Sequence, residues 1–168
     1  MKTLTDHLTQ YAAYHRDQRN IMSHFIGIPL IVIAVAILLS RPGFFVYGLW
    51  LSPALAVSIA AAVFYLGLDL SLGASMTVLL ALCVWLAMHC AQLSTSAWLT
   101  WGISSFIIGW MIQFIGHYYE GRKPAFIDDI MGLAIGPLFV VAELAFLCGL
   151  RQPLKHDIEA RLDPGIDK

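Results

Sequence analysis

Seven polar side chains are concentrated in the run W-M-I-Q-F-I-G-H-Y-Y-E-G-R-K-P-A-F-I-D-D from Trp110 to Asp129: Gln113, His117, Glu120, Arg122, Lys123, Asp128 and Asp129. Gln113, His117 and Glu120 stand at i, i+4 and i+7. At about 100° per residue they share a sector of about 60° on one helical face. An amide, an imidazole and a carboxylate are thereby presented together. Imidazole is the commonest transition-metal ligand, and a neighbouring carboxylate or amide can complete the shell or orient the ring. Solvated polarity at the end of a membrane helix would have the same spacing, so spacing alone leaves both readings open.

A second polar cluster, Y-H-R-D-Q-R-N-I-M-S-H, runs from Tyr14 to His24. Asn20 and His24 are one turn apart, as are Tyr11 and His15. His15 and His24 lie nine residues apart, about 900°, which is half a turn out of phase on a continuous helix. Both can face one ion only if the helix breaks between them, around Asp17 to Asn20. Otherwise one is a ligand at most, with His15 at the surface and His24 an interfacial cap. His89 falls near the opposite end of the apolar segments and reads as a buried, satisfied histidine. His156, in K-H-D-I-E-A-R, reads as part of a solvated tail. Glu143 sits in an apolar run, where an unpaired carboxylate is costly. It is expected to support the site or pair with Arg122 or Lys123, against a purely structural bond.

The elements that must position these groups are apolar. The 168 residues are 59% hydrophobic and 12% charged, with a mean hydropathy of +0.75; a soluble domain is about 25% charged. The net charge of −1 and the lack of any dense Lys/Arg run exclude a nucleic-acid surface. About twenty mostly polar residues precede the first apolar run, unlike a cleavable signal, so the N-terminus should be retained. Cys83, Cys90 and Cys148 lie in apolar stretches and read as free, structural thiols.

In order, the spacing of Leu4, Leu8, Tyr11, Ala12 and His15 predicts an amphipathic interfacial helix within residues 1–20. Apolar spans follow near 21–40, 44–68, 72–93 and 97–115, each long enough to cross about 30 Å of hydrocarbon at about 1.5 Å per residue. A fifth run near 130–150 carries Gly136-Pro137 at its middle and either crosses or turns back there. The expectation is an all-α polytopic membrane protein of one domain: an N-terminal amphipathic helix, four transmembrane helices and a fifth broken or re-entrant one. With four crossings, the His117 loop returns to the side that holds His15 and His24. Lys2, Arg16, Arg19, Arg122 and Lys123 would then be cytoplasmic and only Arg41 outside. No phosphate-cradling glycine loop, nucleophile elbow, C-x-x-C pair or dinucleotide fingerprint occurs. A histidine-based metal site at a membrane surface remains. Its chemistry would suit Fe(II), Zn or Cu.

Five motifs carry a resemblance: Tyr14, His15, Asn20, His24 and Pro29 in Y-H-x-x-x-x-N-x-x-x-H-x-x-x-x-P; G-W-x-x-Q-F-x-G-H from Gly109 to His117; E-x-R-K-P-A from Glu120 to Ala125; I-D at Ile127 and Asp128; and P-x-F-x-x-x-E from Pro137 to Glu143. Together they span most of the chain, which resembles the membrane-embedded 2-hydroxy fatty acid dioxygenases, typified by a fungal endoplasmic-reticulum enzyme of phytosphingosine breakdown and with many bacterial relatives. One departure is that the fungal form has one more residue between the motif histidine and glutamate, which argues against direct ligation by Glu120. The resemblance implies an enzyme, an Fe(II)-dependent α-oxidation in which a 2-hydroxy fatty acid and O2 give a fatty acid one carbon shorter.

Carried over by position, His15, His24 and His117 become metal ligands, while His7, His89 and His156 fall outside the motifs. Asn20, Gln113 and Glu120 would hold the ligand rings as members of the catalytic site, and Arg19, Arg122 or Lys123 would anchor the substrate carboxylate. The implied setting is a bacterial inner membrane, with the metal near the cytoplasmic face and the acyl chain among the spans. Two readings from other classes compete: a non-catalytic lipid-binding or scaffold protein, and a zinc-dependent lipid hydrolase.

Overall fold

The N-terminal helix begins because Thr3 and Asp6 form a reciprocal cap. The Thr3 hydroxyl accepts from the Asp6 N–H, and the Asp6 carboxylate accepts from the Thr3 N–H. In the computed structural model, which describes residues 2–124 and 130–162, this helix α1 (Leu4–Ala12) buries Leu4, Leu8, Tyr11 and Ala12, the stripe expected from the spacing. It stops at Ala12, short of the expected residue 20. A turn follows, and Asp17 restarts the chain by accepting the Arg19 N–H at the N-terminus of α2 (Gln18–Leu38). The break between His15 and His24 is therefore present. The motif positions Ala125, Ile127 and Asp128, and Asp129 of the polar run, lie outside the described residues.

The run expected to span 44–68 is divided. Phe44–Val46 (β1) and Leu49–Leu51 (β2) form an antiparallel hairpin whose central residues, Tyr47 and Gly48, both have positive φ. Ser52 caps α3 (Pro53–Leu68), and Pro53 takes the first helical turn, where its missing N–H costs nothing. Aromatic and β-branched residues around a tight turn thus take eight apolar positions out of the expected helix. Helix α4 (Leu70–Ala91), capped by Asp69, and α5 (Thr95–Glu120), capped by Ser94, follow. Of these helices α2, α4 and α5 are long and apolar enough to cross a membrane, whereas α3 has only 16 residues.

Helix α6 (Met131–Leu147) passes through Pro137 unbroken, against the expectation of a break at Gly136-Pro137. Gly136 has a packing role instead: a Cβ there would stand 3.0 Å from the Tyr11 hydroxyl, so its absence lets α6 lie against α1. The bend comes after α6, and α7 (Gln152–Leu162) leaves it at 114°. Leu154 and Ile158 of α7 join Leu4 and Leu8 of α1 in one apolar cluster. Arg161 reaches Asp6 at 2.7 Å. The tail thus returns to the α1 side of the molecule.

Helices α2 and α5 run antiparallel in close contact. Gly102 faces Ile37 and Leu38, Gly109 faces Gly27 and Ile31, and Gly116 faces Asn20 and Ser23. A Cβ on Gly116 would lie 2.6 Å from Asn20 Oδ1, so only glycine permits this approach. The register sets the start of α2 beside the end of α5, where the site forms.

Candidate metal centre

Three elements each bring one imidazole to the same point. His15 sits in the turn between α1 and α2, His24 in the second turn of α2, and His117 in the last turn of α5. Each offers a ligand nitrogen, and these nitrogens lie within 4.8 Å of one another. Ring centroids are 4.5 Å apart for His15 and His24, 5.2 Å for His15 and His117, and 5.3 Å for His24 and His117. All three side chains are buried.

Local hydrogen bonds orient two of the rings. His15 Nδ1 lies 2.7 Å from the Tyr11 carbonyl and His24 Nδ1 lies 2.8 Å from the Asn20 carbonyl, each acceptor one turn earlier. A carbonyl can only accept, so in both rings Nδ1 carries the proton and Nε2 keeps its lone pair. Metal-binding histidines are commonly oriented this way. Burial, with the His117 ring adding and the Tyr11 carbonyl opposing, pushes the His15 pKa down to about 4, so the ring is neutral at pH 7.

Nitrogens that face the centre lack partners. His15 Nε2 and His117 Nδ1 are buried without a hydrogen bond among the described residues. A buried polar atom left unpaired costs about 1–3 kcal/mol. Two such atoms converging on a third imidazole fit a metal ion, for which neutral nitrogen donors are suitable ligands.

Glu120, Asn20 and Gln113, expected to hold the ligand rings, act mainly on the frame around them. Glu120 accepts from the backbone N–H groups of Arg16 and Asp17, both at 2.9 Å, and from Asn20 Nδ2 at 3.1 Å. It clasps the α1–α2 corner to the end of α5. Asn20 orients His24 through its backbone carbonyl, and its side chain turns to Glu120. Gln113 is buried, with a long 3.5 Å contact from Nε2 to the Ser23 carbonyl. Among the described residues, no side-chain hydrogen bond joins any of the three to a ligand ring.

Sequence reasoning missed Tyr11 as a site residue. Its ring stacks on His15 at 4.2 Å and 8°, and Phe139 of α6 packs against both rings, 4.8 Å from Tyr11 and 5.9 Å from His15. Burial pushes the Tyr11 hydroxyl pKa up, so the phenol keeps its proton. The one available signal was its place four residues before His15.

A cavity of about 80 Å³ opens beside the histidines, lined by Tyr11, His24, Trp110, Gln113, His117 and Pro137 among others. Arg19 is not part of its lining: it pairs with Asp17 at 2.7 Å and lies over the Tyr119 ring. Arg122 donates to the Ala13 carbonyl at 2.9 Å. Lys123 is also outside the lining, but Pro124, next to it in the chain, contributes to the wall.

His89 packs on Trp85, and exposed His156 lies beside Glu159. Lys155 and Glu159 of α7 are charged groups that act on Glu143. The three cysteines are free, as expected.

No solved structure matches the chain. Among curated proteins it is similar to the 2-hydroxy-palmitic acid dioxygenase MPO1 of Saccharomyces cerevisiae, at 31% identity over 166 residues, covering 94% of this chain and 91% of the relative. The family model described as 2-hydroxy-palmitic acid dioxygenase Mpo1-like matches residues 1–147, which include all three clustered histidines. The chain belongs to the Mpo1-like family.

Proposed function

We propose that this protein is a membrane-embedded dioxygenase of lipid α-oxidation. It takes a 2-hydroxy fatty acid and O2 to a fatty acid one carbon shorter, with loss of the carboxyl carbon, and depends on Fe(II) at His15, His24 and His117. One observation carries the reading: three buried imidazoles from three separate elements converge with ring nitrogens left unpartnered. The similarity to a 2-hydroxy-palmitic acid dioxygenase supports the substrate class.

When bound, Fe(II) supplies open coordination positions at which a 2-hydroxy carboxylate and O2 can meet. The protein's own residues do the rest. The Tyr11 and Asn20 carbonyls keep His15 and His24 in the tautomer that presents Nε2. Burial keeps His15 neutral. Arg122 or Lys123, next to the Pro124 wall, anchors the substrate carboxylate, since a cation at a membrane surface both attracts and orients an amphiphilic acid. Arg19 is less suited, being bound to Asp17. The basic residues around this end support a cytoplasmic orientation.

The test is to purify the protein, measure its metal content and follow O2 uptake with 2-hydroxypalmitate. Iron retention and oxygen-dependent loss of the substrate are expected. Metal-free protein with all three histidines intact would overturn the ligand assignment. Turnover without O2 would favour a zinc-dependent hydrolase, and equal binding of 2-hydroxy and plain acids without turnover would favour a lipid-binding protein.

A further inference from the structure

We infer that the acyl chain of the substrate lies in the apolar trough between α2, α4 and α6, entered from the histidine cavity past Ile28, Val32 and Pro137, and that the depth of this trough selects chain length. The inference rests on the dioxygenase reading for the head group, while the tail site stands on its own geometry. The trough has a volume of about 520 Å³ and no charged residue in its wall. Phe25 to Ile33 of α2, Met76 to Leu86 of α4 and Pro137 to Leu144 of α6 bound it. Ile28, Val32 and Pro137 also line the histidine cavity, so the two spaces adjoin.

Direction follows from the helices. His24 lies at the upper end of α2, and the wall descends from there toward Ile33. On α4 it runs from Met76 to Leu86, ten residues or about 15 Å of helix. Leu79, Leu82, Trp85 and Leu144 along the wall are exposed, which leaves the trough open on the bilayer side. A fatty acid already in the leaflet would thus slide in sideways, its carboxylate and 2-hydroxyl at the histidine end and its tail pointing down. This matches the orientation it has among lipids.

A second apolar trough, of about 350 Å³ between α3, α4 and the hairpin, meets the first at Leu80 and Trp85 but shares no lining residue with the histidine cavity. Continuity with the histidines singles out the first trough for the substrate tail, and the second provides a control.

The experiment has two arms. In the first, kcat/KM for 2-hydroxypalmitate and 2-hydroxyoctanoate is compared in three variants. Leu86→Trp, at the deep end, should lower the long-to-short ratio roughly 10-fold or more, because filling an apolar pocket rejects the longer chain. Val32→Trp, at the mouth, should lower both values. Ala62→Trp, in the control trough, should change neither the ratio nor the rate. An equal effect of Leu86→Trp on both acids, or none, overturns the assignment.

The second arm uses the unmutated protein and a 2-hydroxy fatty acid with a photoreactive diazirine at its tail end. Attachment within residues 76–86 or 140–144, competed by unlabelled 2-hydroxypalmitate, is expected. Attachment spread over the outer faces of α3 and α5, or not competed, marks bulk lipid as the occupant and overturns the inference. Competed labelling of the trough without O2 uptake would leave the tail site standing and remove the dioxygenase reading. Oxygen uptake without trough labelling would do the reverse.

Discussion

Polar groups are buried at both ends of the α2–α5 pair, and the two ends treat them in opposite ways. At the far end Arg41 donates from Nε and a terminal nitrogen to the Ala91 carbonyl, from that terminal nitrogen to the Leu93 carbonyl, and from its other one to Thr95 Oγ1. Its guanidinium lies 5.0 Å from the Trp98 ring. Trp98 Nε1 donates to the Ile37 carbonyl at 2.7 Å, the Ser40 hydroxyl donates to the same carbonyl, and Trp50 Nε1 donates to the Ser40 carbonyl. These donors have partners, and the cluster joins α2, α4, α5 and the hairpin. At the histidine end, His15 Nε2 and His117 Nδ1 have none among the described residues. A saturated network stabilises a fold, whereas convergent unsatisfied lone pairs cost stability and make sense only with something to bind.

The sharpest test of that contrast is His24→Ala. It should lower metal affinity by more than about 100-fold, since loss of a ligand exceeds the 10–100-fold typical of losing a supporting partner. Metal analysis reads the result, and wild-type metal content in this variant would break the comparison. Arg41→Ala should do the converse. It strands the Ala91 and Leu93 carbonyls and should cost about 3 kcal/mol of stability, seen in detergent unfolding, while metal per folded molecule stays constant.

Acid should act at the histidine end. The folded-state pKa of His15 is lowered from 6.5 to about 4, so its neutral form belongs to the folded state. Its contribution is fully present above about pH 6.5 and is lost as pH falls toward 4, by about 3 kcal/mol at most. In metal-free protein, unfolding measured across that window should show the loss, and His15→Gln should flatten it. The smallest effect belongs to Glu120→Ala. Releasing the Arg16 and Asp17 N–H groups should loosen the corner that aims His15 and weaken metal binding about 10–100-fold without abolishing it. Unchanged affinity would mean that the corner is held elsewhere.

Much of this site could be read before any coordinates. Counting helical phase from His15 to His24 demanded a break, and the Asp17 cap supplies one. Other features were not local. The run 44–68 is apolar throughout, so hydropathy could not see that the Tyr47-Gly48 turn would divide it. Pro137 looked like a helix breaker because the packing role of Gly136 against Tyr11 depends on a helix far away in sequence. Arg41 read only as the one basic charge on the outer side, because its acceptors lie about fifty residues on.

The sequence by itself determined that the chain is a bundle of apolar helices, that His15, His24 and His117 are the histidines to watch, and that a straight helix could not unite the first two. The first and the last follow from composition and from the 3.6-residue period, which act over one or two turns; the choice of histidines came from the motifs that carry the family resemblance. Only the tertiary structure decided what Glu120 does, that Tyr11 backs His15, and where the tail returns. Glu120 meets Arg16 across 104 positions of chain. Such a contact is set by how closely the glycines of α5 let it approach α2, a property of two helices together that neither sequence segment holds alone.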